Sequence, residues 1–219
     1  MTWFYLLAAI VLFAAPLATA LPPDAPLAEL LLALREQTQV PNLVSGVILK
    51  TRLFDTVAEV VVFTLAALGV RLVLAGEPEK RRIRAFADAP SVVLCELGST
   101  IAALIAVELA LRGHLSPGGG FAAGVAGGTA IGLKLISGGA GRAERLYRRY
   151  RADLWEKAAV VGFIVLAWLL LIGLDLPAGA FGSLLSGGWI PWLNILVAIK
   201  VTLGSWAMVQ LFVRYRGLF

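Results

Sequence analysis

Apolar residues gather into six runs, roughly 3–21, 54–75, 91–111, 121–137, 158–174 and 190–213, with proline, glycine or charged clusters between them. Each run is close to the roughly 20 residues that a helix needs to cross a hydrocarbon core. None alternates apolar and polar positions, as the strands of a membrane barrel do, so the runs predict helices. The pattern therefore predicts an all-α, polytopic membrane protein with about six transmembrane helices. Six spans leave little of the 219 residues for a soluble domain.

The connections carry their own signals. Pro22-Pro23-Asp24-Ala25-Pro26 favours a stop and a turn after the first run. Leu27–Leu34, edged by Glu29, Arg35 and Glu36, reads as a short helix that lies along the membrane surface or packs on a partner subunit. The first run ends in Ala18-Thr19-Ala20, which resembles a signal-peptidase site, but no basic segment precedes its apolar core. It is therefore read as a retained span. Runs three and four are joined by Gly113-His114-Leu115-Ser116-Pro117-Gly118-Gly119-Gly120. So short a link demands a sharp non-helical turn, in which proline stops the incoming helix and glycines allow positive φ and close approach. The absence of GK[ST] and of a preceding strand excludes a phosphate loop. In run four, Gly124 and Gly128 stand at GxxxG spacing, with Gly127 and Gly132 beside them, which predicts tight helix packing.

Composition removes other classes. The chain is 59% hydrophobic and only 15% charged, against about 25% charged in a soluble domain. One cysteine (Cys95) and one histidine (His114) rule out a disulfide framework, a Cys/His zinc site and an iron–sulfur cluster, and no metal site or cofactor motif is read. The net charge of +5 would suit nucleic acid, but its placement points elsewhere. Lys80, Arg81, Arg82, Arg84, Arg142, Arg145, Arg148, Arg149, Arg151, Lys157, Arg214 and Arg216 fall on one side of the six-span plan, and only Arg35, Lys50, Arg52 and Arg112 on the other. The positive-inside rule then puts both termini in the cytoplasm and makes the chain a multi-pass protein of the cell membrane. The basic loops are a topology signal and a contact for the anionic lipid of the bilayer. No nucleic-acid partner is expected, because no base-reading element accompanies them.

A charge inside a span costs roughly 2.5–3.5 kcal/mol, so such residues usually face a partner or a wet cavity. Glu59 lies one turn into run two, with Asp55 on the same face. Glu96 and Glu108 are in run three, roughly 18 Å apart along the helix axis. Lys134 closes run four, and Lys200 is near the middle of run six, six residues after Asn194. Snorkelling to the interface accounts for Asp55 and Lys134. An i,i+4 pair with Arg112 accounts for Glu108, and a helix-capping role for His114. Glu59 and Lys200 have no neighbour of opposite charge in their own runs at membrane depth, which makes them the strongest candidates for moving ions or protons.

Three segments resemble known relatives. Arg52-Leu-Phe-Asp55-Thr-Val-Ala-Glu59 is similar to an RxFDTxxE stretch near the C-terminal end of the A subunit of Mrp-type multisubunit Na+/H+ antiporters, which recurs as a separate small subunit in energy-converting membrane-bound hydrogenases. Gly113-His114-Leu-Ser-Pro117-Gly118-Gly119-Gly120-Phe121 resembles the GHxxPGGGF signature of the B subunit of those complexes, and Asn194 followed by Lys200 resembles its last span. The resemblance implies a fusion, with residues 1–88 like the A-subunit tail and 89–219 like a four-span B subunit. It further implies a non-catalytic subunit of a cation/proton antiporter module that handles Na+ and H+. Its partners would be other membrane subunits, in a complex either free-standing or attached to redox subunits. Glu59, Lys200, Glu96, Glu108, His114, Asp55 and Lys134 are then the candidate pathway residues. The competing reading is a structural subunit that seals and joins its neighbours.

Overall fold

A computed structural model of the protein describes residues 26–79, 85–86 and 88–217, apart from the side chains of 139, 140, 142 and 143. The first apolar run and the basic cluster Lys80, Arg81, Arg82 and Arg84 lie outside the described residues. The chain divides into two units, Met1–Ala33 and Leu34–Phe219. The candidate site described below lies in the second.

The elements in chain order are α1 (Leu27–Thr38), α2 (Leu43–Gly46), a wide π-helical turn (Val47–Thr51), α3 (Leu53–Leu74), α4 (Ala89–Arg112), α5 (Gly119–Lys134), α6 (Ala140–Arg149), α7 (Ala152–Leu171) and α8 (Ile190–Arg216). The described residues are all helix and loop. Five helical stretches are long and apolar enough to span a membrane: Leu53–Leu74, Ala89–Arg112, Gly119–Gly138, Ala152–Leu171 and Ile190–Arg216. These are runs two to six of the sequence. Local chemistry sets their starts. The Asp88 carboxylate accepts from the Ser91 backbone N–H at 3.0 Å and Pro90 occupies the first turn of α4, while Pro191 does the same for α8. α7 begins at Ala152, ahead of the apolar run at Ala158, and so carries Asp153, Glu156 and Lys157 on the helix.

α8 is the centre of the bundle, with α5, α7 and α3 packed around it and α4 paired with α5. Lipid supplies no hydrophobic drive between helices, so close packing has to hold them. Helix α5 achieves it with small residues. A Cβ on Gly120 would fall 2.5 Å from the Asn194 carbonyl oxygen, and one on Gly128 2.7 Å from Ser205 Cβ. Side chains at Gly124 and Gly127 would overlap Val201 and Thr202. Gly120, Gly124, Gly127 and Gly128 thus form the α5–α8 seam, whereas a Cβ on Gly132 would meet nothing within 4 Å, so that glycine is not part of it. Val197 and Val201 of α8, which border this seam, belong to one buried cluster with Val60 of α3 and Phe163 of α7.

Candidate functional site

The turn between α4 and α5 is fastened from two sides. Helix α4 ends at Arg112, ahead of Pro117, and Gly113 follows it where a Cβ would strike the Asn194 side chain at 2.7 Å. Asn194 donates from Nδ2 to the carbonyls of Leu109 (3.1 Å) and Ala110 (2.7 Å). These are among the last carbonyls of α4, which no helical N–H can reach. From the other side, Asn42 donates to the carbonyls of Gly113 and Ser116, both at 2.8 Å, and Ser45 Oγ donates to Gly113 at 2.8 Å. Gly118 (φ 137°) and Gly119 (φ 72°) hold conformations that side-chain-bearing residues avoid. His114 is fully buried in this turn. Burial pushes its pKa below the ordinary 6.5, partly offset by the nearby backbone of Ser183 and Leu184, and neither ring nitrogen closes a hydrogen bond of normal geometry among the described residues.

Between this turn and α3 lies a partly open cavity of about 1040 Å³, lined among others by Asn42, Ser45, Glu59, Phe63, Gly119 and Asn194. Asp55 also borders it but is ion-paired with Arg52. Glu59 is exposed and has no ion pair or hydrogen bond among the described residues. The Oδ1 of Asn194 is likewise buried without a partner. The cavity therefore offers one unpaired carboxylate, Glu59, beside the glycine-rich turn, which suits a hydrated cation or a proton-carrying water.

Deeper along α8, Lys200 is 1% exposed and forms an ion pair with Glu156 of α7, itself 15% exposed. The Lys200 ammonium also lies 5.4 Å from the ring centroid of Phe63. Glu156 escapes a reading by hydropathy because its segment, Asp153-Leu-Trp-Glu-Lys157, looks like the tail of a basic loop. The signal that points to it is Lys200 itself, since a buried cation demands a counter-charge from another helix. The remaining sequence candidates do not gather here. Lys134 is ion-paired with Glu96, both about half exposed. Glu108 pairs with Arg112 at 3.1 Å as the i,i+4 spacing suggests. Among the described residues no cluster of His, Cys, Asp and Glu could hold a metal ion.

A bundle of five helices long and apolar enough to span a membrane, with a buried Lys200–Glu156 ion pair and a glycine-stitched turn, defines a multi-pass membrane protein. More particularly, residues 90–207 match the model of a domain related to the MnhB subunit of the Na+/H+ antiporter, and the chain belongs to that family. Among solved structures it is similar to a chain of the membrane-bound sulfane sulfur reductase (MBS), an archaeal respiratory membrane complex, with TM-score 0.72 and 23% identity over 97% of this chain and 95% of that one. It is also similar to a chain of the Mrp complex from Dietzia sp. DQ12-45-1b, with TM-score 0.65 and 20% identity over 98% of this chain and 26% of that one. At these identities the two likenesses establish the fold. No curated protein matches the chain.

Proposed function

We propose that the protein is a membrane subunit of a multisubunit Na+/H+ antiporter-like complex and carries part of an ion or proton path. The observation that carries the reading is Glu59, an unpaired carboxylate on a spanning helix facing a cavity of about 1040 Å³. Family membership and two neighbours drawn from multisubunit membrane complexes support other membrane subunits as its partners. Likeness to a respiratory complex favours attachment to redox subunits. We read residues 89–219 as a B-like piece, within which the family match over residues 90–207 falls, and residues 1–88 as an A-tail-like piece. With the basic residues of α6 and the end of α8 on the cytoplasmic side, the α4–α5 turn and its cavity face outward. One charge crossing 100 mV is worth about 2.3 kcal/mol, so a path that exchanges a cation for a proton has ample drive.

The competing scaffold reading draws on the α4–α5 turn, where Asn42 and Asn194 join three segments by neutral hydrogen bonds. The two part at Glu59→Gln in the whole complex. If Glu59 carries ions, antiport in everted vesicles falls by roughly a hundredfold, the scale on which losing a proton-transferring group acts, while the complex runs unchanged on a native gel. A complex that falls apart with Glu59→Gln would favour the scaffold.

A further inference from the structure

Three features of the bundle adjoin one another. The Glu59 cavity comes first from the α4–α5 turn. Next is Phe63, one turn further along α3, which lines that cavity on one side and faces the Lys200 ammonium on the other. Behind it is the Lys200–Glu156 pair. Gly204 explains how the aromatic ring and the carboxylate come so close to α8. A Cβ there would lie 2.7 Å from Phe63 Cε1 and 3.3 Å from Glu156 Oε1, so glycine clears the space for both.

Beyond the pair, the polar column continues toward the other end of the bundle. Tyr147 of α6 meets Trp206 edge to face, with centroids 5.2 Å apart and planes at 80°. Burial, and then the negative charges of Glu156 and Asp153, push the Tyr147 hydroxyl up to about 12, with Arg71 pulling the other way. Trp206 Nε1 and Gln210 Oε1 are buried without a partner among the described residues. Polar atoms of this kind are ordinarily met by bound water or by another chain.

We propose that the Lys200–Glu156 pair is a proton-exchange site and that the Phe63 ring separates it from the Glu59 cavity. The step rests on the translocation reading above and balances without any other reactant. The Lys200 Nζ–H bond breaks, an O–H bond forms on Glu156, and the pair passes from charged to neutral. The Glu156 proton then leaves toward the Tyr147 end, and a proton arriving from the cavity past a displaced Phe63 restores the ammonium. The charged groups that act on the neighbouring Tyr147 hydroxyl are Glu156 of the pair, Asp153, which pairs with Lys157 at 4.0 Å, and Arg71.

The test uses the whole complex in sealed vesicles, in a Cys95→Ala background. Two thiols are compared: Lys200→Cys combined with Glu156→Gln, and Val197→Cys, which lines the cavity. The probe is a small, membrane-impermeant cationic methanethiosulfonate. Val197→Cys should react at the same rate with or without Phe63. The thiol at position 200 should react slowly when Phe63 is present and about tenfold faster or more in Phe63→Ala, the factor that a barrier lowered by about 1.4 kcal/mol produces. Equal rates at position 200 in the two backgrounds, whether fast or slow, overturn the separation by Phe63. No reaction at Val197→Cys overturns the wet cavity on which both readings depend.

A second measurement addresses the proton itself. The neutral pair Glu156→Gln/Lys200→Gln should assemble and lose antiport, and normal antiport in the assembled double variant overturns the exchange site. If position 200 behaves as expected while Glu59→Gln retains full antiport, the separation by Phe63 stands and the Glu59 path falls.

Discussion

Asn194 and Lys200 lie six residues apart on α8 and are both about 1% exposed, yet they hold the bundle by different means. Asn194 is neutral and is spent on the end of α4, where it caps two carbonyls that no helical N–H reaches. Lys200 is charged and is met by Glu156 from another helix and by the face of Phe63. Replacing a neutral cap alters how tightly two helices join. Replacing one member of a buried ion pair strands the other in a medium that solvates charge poorly. The comparison teaches that polarity at membrane depth has two uses in this chain. One is joinery at the α4–α5 turn, and the other is a buried charge held by a counter-charge from a neighbouring helix.

The contrast breaks most visibly at Glu156. Glu156→Gln alone should cost roughly 3–5 kcal/mol by leaving Lys200 buried and unpaired, seen as loss of the complex on a native gel. Adding Lys200→Met, which is neutral and of similar length, should restore the complex without restoring transport. Asn194→Leu should act next in size, at about 1–3 kcal/mol for the carbonyls it leaves unmet. It should lower the melting temperature of the complex while antiport per assembled complex stays near the wild-type rate. A loss of antiport per complex in that variant would merge the two uses that the comparison separates.

The smallest expected effect is at His114. Burial holds its pKa below the ordinary 6.5, so the folded protein favours the neutral ring. The stability it contributes is fully present above 6.5 and shrinks as the pH falls below that value toward the folded pKa. Melting of the complex between pH 7.5 and 5.5 should therefore lose part of its pH dependence in His114→Phe. An identical pH profile in the variant would remove His114 from the account of the α4–α5 turn.

Much of this architecture is legible in the sequence because it rests on local pattern. Hydropathy marks runs two to six, GxxxG spacing marks the α5–α8 seam, and i,i+4 spacing marks the Glu108–Arg112 pair. What the sequence conceals is long-range. Glu156 and Lys200 are 44 positions apart, and Glu96 and Lys134 are 38 apart. Hydropathy windows also trim charged residues from span ends, which removes Glu156 from run five before its partner can be sought. The Asn42–Ser45 fastening hides for another reason. An Asn three residues before a Ser reads as an ordinary helix cap, and that cap does form, with Asn42 accepting from the Ser45 N–H at 3.4 Å. Nothing local shows that the same two side chains also reach the carbonyls of Gly113 and Ser116. The cavity needs α3, the turn and α8 together, so no single motif could announce it.

The central claim is that Glu59 carries ions through this subunit rather than holding it in place. The most direct measurement is sodium-driven proton movement in everted vesicles containing Glu59→Gln and Glu59→Asp, normalised to the amount of complex on a native gel. The account predicts a fall of roughly a hundredfold for the amide, partial activity for the shorter carboxylate, and undiminished assembly for both. Wild-type rates in an intact Glu59→Gln complex would contradict it.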